Sequence, residues 1–119
     1  MLAQSPVEVG AAEFRIAVAR LPKMKRAPAG ARGAMPRDTI LSPGDDGIMV
    51  ETPVVASLVP SRPVWQVSVS VDAWRLLEVC DRFKTIGAYK SADDIFLLSV
   101  LDGELRVKFR TTAVSLPIL

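Results

Sequence analysis

The stretch Val67–Phe83, VSVSVDAWRLLEVCDRF, decides the fold. Its first five residues alternate valine with serine, which is the period of a strand with one buried face. From Ala73 onward the apolar residues recur at the spacing of one helix face, at positions 73, 76, 79, 80 and 83. Asp72 is the expected N-cap, because its carboxylate can accept a hydrogen bond from the first helical turn. The stretch therefore predicts a strand that leads directly into an amphipathic helix.

The same pattern occurs 62 positions earlier in the chain. Gly10 is a weaker N-cap candidate there, and Pro22 is expected to end the first helix. Eight matches at a single shift indicate an internal duplication rather than chance. The matched pairs are Val7 with Val69, Val9 with Val71, Ala11 with Ala73, Phe14 with Leu76, Ala17 with Val79, Val18 with Cys80, Arg20 with Arg82 and Leu21 with Phe83.

Each helix is followed by apolar runs separated by a turn signal. Asp45-Asp46-Gly47 and Asp102-Gly103 each separate two such runs, and Asp-Gly is a strong hairpin signal. A third run follows in each half, at Val54–Leu58 and Thr112–Leu116. The expected architecture is thus one domain over residues 1–119, with repeats at about 5–60 and 65–119, each a β-α-β-β-β unit. A basic loop at about residues 23–37, rich in Ala, Gly and Pro, is predicted to be mobile.

Composition excludes several classes of site. The 119 residues include no histidine and a single cysteine, Cys80, so a disulfide within one chain and a Cys/His zinc site are excluded. Without histidine no base for a Ser or Cys nucleophile is evident, and we expect no enzyme, no cofactor and no metal. The acidic pairs Asp45-Asp46 and Asp93-Asp94 lie in predicted turns, where Asp bonds the local backbone. Cys80 lies on the apolar helix face and is expected to be buried.

Targeting signals are not evident in the sequence. No apolar run approaches the roughly 20 residues needed to cross a bilayer, and the first ten residues do not resemble a signal peptide. We expect a soluble cytoplasmic protein with no membrane partner, associated with the nucleoid if the source is bacterial.

Basic residues are concentrated in one part of the chain. Residues 11–37 contain seven basic residues against Glu13 alone, although the net charge is only +2. Such a region indicates either a surface for a polyanion or a solvated basic loop.

The duplicated unit resembles one domain of the DNA sliding clamps, the processivity factors of replicative polymerases. The residues that carry the resemblance are Val69–Leu77, the turn at Asp102-Gly103, and Ser115-Leu116-Pro117. The resemblance implies an α+β, clamp-like domain with two helices packed on one face of an antiparallel sheet. Known clamp subunits carry two or three such domains, whereas this chain has one, so a comparable ring would need six copies joined through edge strands.

The resemblance also implies a function. A homo-oligomeric ring, in its sharpest form a hexamer, would surround double-stranded DNA without sequence preference and tether polymerase or other replication and repair proteins. The residues predicted to contact DNA are Arg15, Arg20, Lys23, Lys25, Arg26, Arg32, Arg75, Arg82 and Lys84. The alternative is a protein-interaction module that docks on a partner through a free strand edge and does not bind DNA.

Overall fold

The structure, a computed structural model, describes residues 3–21 and 38–119 of the chain. The order strand, helix and three strands occurs twice. The elements are β1 (Gln4–Gly10), α1 (Ala11–Val18), β2 (Asp38–Gly44), β3 (Gly47–Glu51), β4 (Ala56–Arg62), β5 (Val69–Asp72), α2 (Ala73–Lys84), β6 (Ile95–Leu101), β7 (Glu104–Phe109) and β8 (Thr112–Pro117). The basic loop predicted at about residues 23–37 lies outside the described residues.

Local hydrogen bonds accompany the start of α2 and the end of α1. The Asp72 carboxylate accepts a hydrogen bond from the Arg75 amide at 2.9 Å, which confirms the predicted N-cap of α2. Helix α1 ends at Val18, before the predicted end at Pro22. Two residues beyond the helix, the Arg20 carbonyl accepts a hydrogen bond from Thr52 Oγ1 at 2.6 Å, on the turn between β3 and β4.

The strands form one antiparallel sheet in the order β5-β2-β3-β4-β1-β6-β7-β8. Each half contributes its first strand to the other half, because β1 pairs with β6 and β5 pairs with β2. These pairings join positions that are far apart in sequence. The two halves therefore form a single core rather than two separate ones.

The predicted open, clamp-like sheet is wrong, because the sheet curls into a nearly closed barrel. Val71 on β5 bridges to Ile118 beyond β8, and the Leu119 amide donates to the Ser70 carbonyl at 2.8 Å. The two ends of the strand order therefore meet. The right-handed twist that accumulates over eight strands favours such closure, and it shields inner-face side chains that a flat sheet would expose.

An aromatic cluster joins both helices to the inner side of the barrel. Phe14 of α1 and Phe83 of α2 both contact Phe96 of β6, with ring centroids 6.3 and 5.2 Å apart. Phe109 of β7 completes the cluster at 5.9 Å from Phe96. The predicted apolar face of α2 is buried in full: Ala73, Leu76, Val79, Cys80 and Phe83. The buried faces of both helices therefore pack into the same core as the strands.

Candidate functional site

Arg15, the first predicted DNA contact, is already bound within the protein. Its Nη2 lies 2.9 Å from Asp81 Oδ1, and its Nε donates to the same oxygen at 3.0 Å. Its guanidinium also lies 5.6 Å from the centre of the Tyr89 ring. These contacts join α1 to α2, and a DNA phosphate would have to compete with the Asp81 carboxylate for this guanidinium.

The other described candidates are exposed and loosely held. Arg20 Nη1 donates to Ser57 Oγ at 3.2 Å, and Arg82 lies 3.9 Å from Glu78 in an exposed pair that binds weakly. Arg75 and Lys84 are also exposed on α2. Lys23, Lys25, Arg26 and Arg32 lie outside the described residues. Arg20, Arg75, Arg82 and Lys84 therefore remain available to a partner.

Arg20 and Arg82 occupy separate clefts. Arg20 lines a cleft of about 200 Å³ between α1 and β4, whereas Arg82 lines a cleft of about 290 Å³ between α2 and β8. The two positions are equivalent in the duplicated halves, but the structure does not bring the two side chains together in one site. Each cleft instead borders one strand edge.

The first of these edges belongs to β4. The Ser61 amide donates to the Asp46 carbonyl and the Val55 carbonyl accepts from the Thr52 amide, so odd-numbered backbone groups point toward β3. By the alternation of an antiparallel ladder, the backbone groups of Ala56 and Leu58 point the other way. On that side β4 pairs with β1 only at Arg62 and Ser61. Within the described ranges, residues 56–60 thus form a free strand edge on the side of β4 that faces away from β3.

The second edge belongs to β8 and is equivalent to the first. The Ile118 amide donates to the Gly103 carbonyl, so even-numbered groups point toward β7. The backbone groups of Ala113 and Ser115 consequently point away from the sheet, and contact with β5 begins only at Ile118. Pro60 and Pro117 stand at the end of these edges, where a proline leaves no N–H without a partner.

The surroundings of the two edges differ in polarity. Ile16 and Leu58, exposed by 56% and 47%, line the cleft beside β4, and Val54 in the adjoining turn is 58% exposed. The cleft beside β8 is charged and is lined by Arg75, Glu78 and Arg82. Glu13 and Arg75, at equivalent positions of the repeats, carry opposite charges. The two edges are therefore different surfaces.

The chemical groups that sequence reasoning considered are placed in structural roles. Burial raises the pKa of the Cys80 thiol to about 12, which removes its nucleophilic form at neutral pH. The Asp94 carboxylate accepts from the Ser91 amide, as expected of a turn residue. Over residues 3–21 and 38–119, no group of three or more metal-ligating side chains is present. In the same ranges no helix is long and apolar enough to cross a membrane.

The sequence predicts free strand edges but does not identify the residues that form them. Pro60 and Pro117 were the available signal, because proline within a strand is confined to edges and bulges. Comparison of the chain with protein-family models finds no matching family, and comparison with curated proteins finds no matching relative.

Proposed function

We propose that this protein acts by association, with copies joined head to tail through the free edges of β4 and β8. The observation that carries the proposal is that two strand edges have no partner among residues 3–21 and 38–119, in a barrel whose other neighbouring strands are hydrogen-bonded. Antiparallel pairing of residues 56–60 of one copy with residues 113–117 of the next would satisfy the outward-facing N–H groups on both strands.

Exposed apolar surface beside the β4 edge supports association at this edge. Ile16, Val54 and Leu58 form an exposed apolar border on the β4 side, and a second copy would remove it from water. The α1 side offers Glu13 and Arg20 and the α2 side offers Arg75 and Glu78, so both sides carry charges of either sign that a neighbouring copy can pair. A head-to-tail contact gives a ring when its rotation closes, and a hexamer is one such ring.

Light scattering over a range of concentrations tests the association. The wild-type chain should exceed the monomer mass of 12.9 kDa at micromolar concentration. Leu58→Lys places a charge on the β4 edge and should shift the mass toward the monomer, because charged side chains block edge pairing. Arg106→Lys, on the outer face of β7, is the matched control and should leave the mass unchanged. A wild-type chain that stays monomeric at a concentration of about 100 µM would refute the proposal.

Binding of duplex DNA without sequence preference is the second candidate function. It is favoured by the position of the exposed cations Arg20, Arg75 and Arg82 beside the two edges, where assembly would bring cations of neighbouring copies onto a shared surface. Glu78 and Asp81 on α2 oppose it by lowering the local positive charge. Tethering of polymerase or other replication and repair proteins stays a prediction from the resemblance.

Fluorescence anisotropy with a labelled DNA duplex tests the second candidate. The logarithm of the binding constant should fall linearly with the logarithm of the salt concentration. Combined Arg20→Gln and Arg82→Gln should weaken binding by about tenfold or more, because two phosphate contacts are lost. Arg106→Gln, which removes a cation from the outer face of β7, should have little effect. Equal losses for the two sets would contradict a specific DNA-binding surface on the helices.

A further inference from the structure

A groove opens at the seam where β1 and β4 separate. These strands pair only at Glu8–Arg62 and Val9–Ser61. After Val9 the chain turns at Gly10 into α1, whose first amide, that of Ala11, donates to the Asp94 carbonyl at 2.9 Å. Because β4 loses its partner at this point, a cavity of about 720 Å³ remains between the two strands. We call it the seam groove.

The walls of the seam groove are largely apolar. Pro60, Pro63 and Val64 line it on the β4 side, and Ile95 of β6 lines it on the other. Val64 and Ile95 are exposed by 38% and 43%, so their aliphatic surfaces face water. Proline has no backbone N–H, so these walls offer few donors and favour an aliphatic occupant.

Charges stand at the rim of the groove. The lining includes the carboxylates of Glu8 and Asp46 and the guanidinium of Arg62. In the described part of the chain, the ion pairs are Arg15–Asp81 and Arg82–Glu78, and neither involves the groove. Two carboxylates against one guanidinium leave the rim negatively charged, which complements a cationic segment.

The second seam shows that the barrel does not require these charges. The bridge between Val71 and Ile118 is equivalent to the Val9–Ser61 pair, and that seam closes with a backbone hydrogen bond. In the second seam, the residues equivalent to Glu8, Asp46 and Arg62 are uncharged. They are Ser70, Gly103 and Leu119, respectively. The charged lining thus belongs to one seam only, although the architecture of both is the same.

We propose that the seam groove binds a short segment of a partner protein in which an aliphatic side chain stands between lysine or arginine residues. The aliphatic side chain contacts Val64 and Ile95, while the flanking cations face Glu8 and Asp46. The volume of about 720 Å³ accommodates a few residues of such a segment. This proposal goes beyond the association of copies: Pro60 of the lining belongs to the β4 edge, whereas Glu8 and Ile95 lie on β1 and β6.

Titration of the ¹⁵N-labelled full chain with a synthetic peptide tests this proposal. The probe carries one leucine between two lysines, and its counterpart carries glutamates in place of the lysines. The lysine peptide should shift the amide signals of Glu8, Asp46 and Ile95 with saturation. The glutamate peptide should bind about tenfold more weakly, because the rim repels it. These signals report the groove whether or not the copies associate.

Adjacent aspartates provide a matched pair of variants. Asp46→Asn should weaken binding of the lysine peptide by about threefold to tenfold, and asparagine tolerates the positive φ of 56° at this position. Asp45→Asn changes a neighbouring exposed carboxylate that does not line the groove and should leave binding unchanged. The proposal is overturned if no signal saturates, if both variants weaken binding equally, or if the glutamate peptide binds as tightly.

Discussion

Arg15 on α1 and Asp81 on α2 join the two helices, with Nη2 of the arginine 2.9 Å from Oδ1 of the aspartate. The same guanidinium lies against the Tyr89 ring, whose hydroxyl donates to the Cys80 carbonyl at 2.6 Å. A residue that the sequence assigns to a DNA phosphate is therefore engaged in packing the two helices together.

Removal of this ion pair should cost little stability. Its side chains are 36% and 49% exposed, so solvent screens the attraction. We expect a coupling free energy of about 0.5 kcal/mol in a double-mutant cycle of Arg15→Gln and Asp81→Asn, measured by urea unfolding. A coupling of about 3 kcal/mol or more would show that the pair is effectively buried and would contradict this assignment.

Alkaline pH should destabilise the fold through Cys80. Burial raises its pKa from 9.0 to about 12, so the unfolded chain loses this proton at lower pH than the folded chain. The stabilising contribution is complete below pH 9 and is lost as the pH rises toward 12. Between pH 8 and pH 10 the free energy of unfolding should fall by about 1.4 kcal/mol, as measured by urea denaturation.

Cys80→Ala is the control for this pH dependence. The variant starts from a lower stability because it leaves a small cavity, but its decline between pH 8 and pH 10 should be reduced. Burial also raises the pKa of Tyr89, which adds a loss of stability above its ordinary value of 10.0. An unchanged decline in the variant would assign the effect to other groups.

Two buried threonines should respond in opposite ways to the same substitution. Thr39 Oγ1 is buried without a hydrogen-bond partner within the described residues, whereas Thr52 Oγ1 bonds the Arg20 carbonyl and accepts from the Val54 amide. Thr39→Val should leave stability unchanged or raise it by about 1 kcal/mol, since it removes an unsatisfied hydroxyl. Thr52→Val should lower it by about 1–3 kcal/mol.

Thermal melting by circular dichroism measures both threonine variants directly. A larger loss for Thr39→Val than for Thr52→Val would contradict the hydrogen-bond assignment at the β3–β4 turn.

The sequence predicts local elements well because their signals are local. Val69 and Val71 alternate with polar residues and thereby specify a strand. The carboxylate of Asp72 specifies the start of a helix, and both signals act within a few residues. The hairpin at Asp102-Gly103 follows likewise, and both residues adopt the positive φ that the turn requires, 54° and 76°. The order of elements could therefore be obtained without coordinates.

The closure of the barrel and the ion-pair partners of the arginines could not be predicted from local sequence signals. The bridge between Val71 and Ile118 and the ion pair between Arg15 and Asp81 join residues far apart in sequence. Periodicity specifies which face of a strand is buried, but it does not specify how far the sheet curls or which strand lies at its seam. The prediction of a clamp-like sheet therefore came from the family resemblance and not from the residues themselves.

Mixing of two complementary variants tests head-to-tail association most directly. Leu58→Pro and Ser115→Pro each remove one outward-facing N–H from a single free edge, without removing a ladder bond to β3 or β7. Each variant retains one intact edge, and melting curves verify that each folds. Light scattering should give 12.9 kDa for either variant alone and twice 12.9 kDa for their equimolar mixture. Dimerisation of either variant alone, or a mixture that remains monomeric, would contradict pairing between β4 and β8.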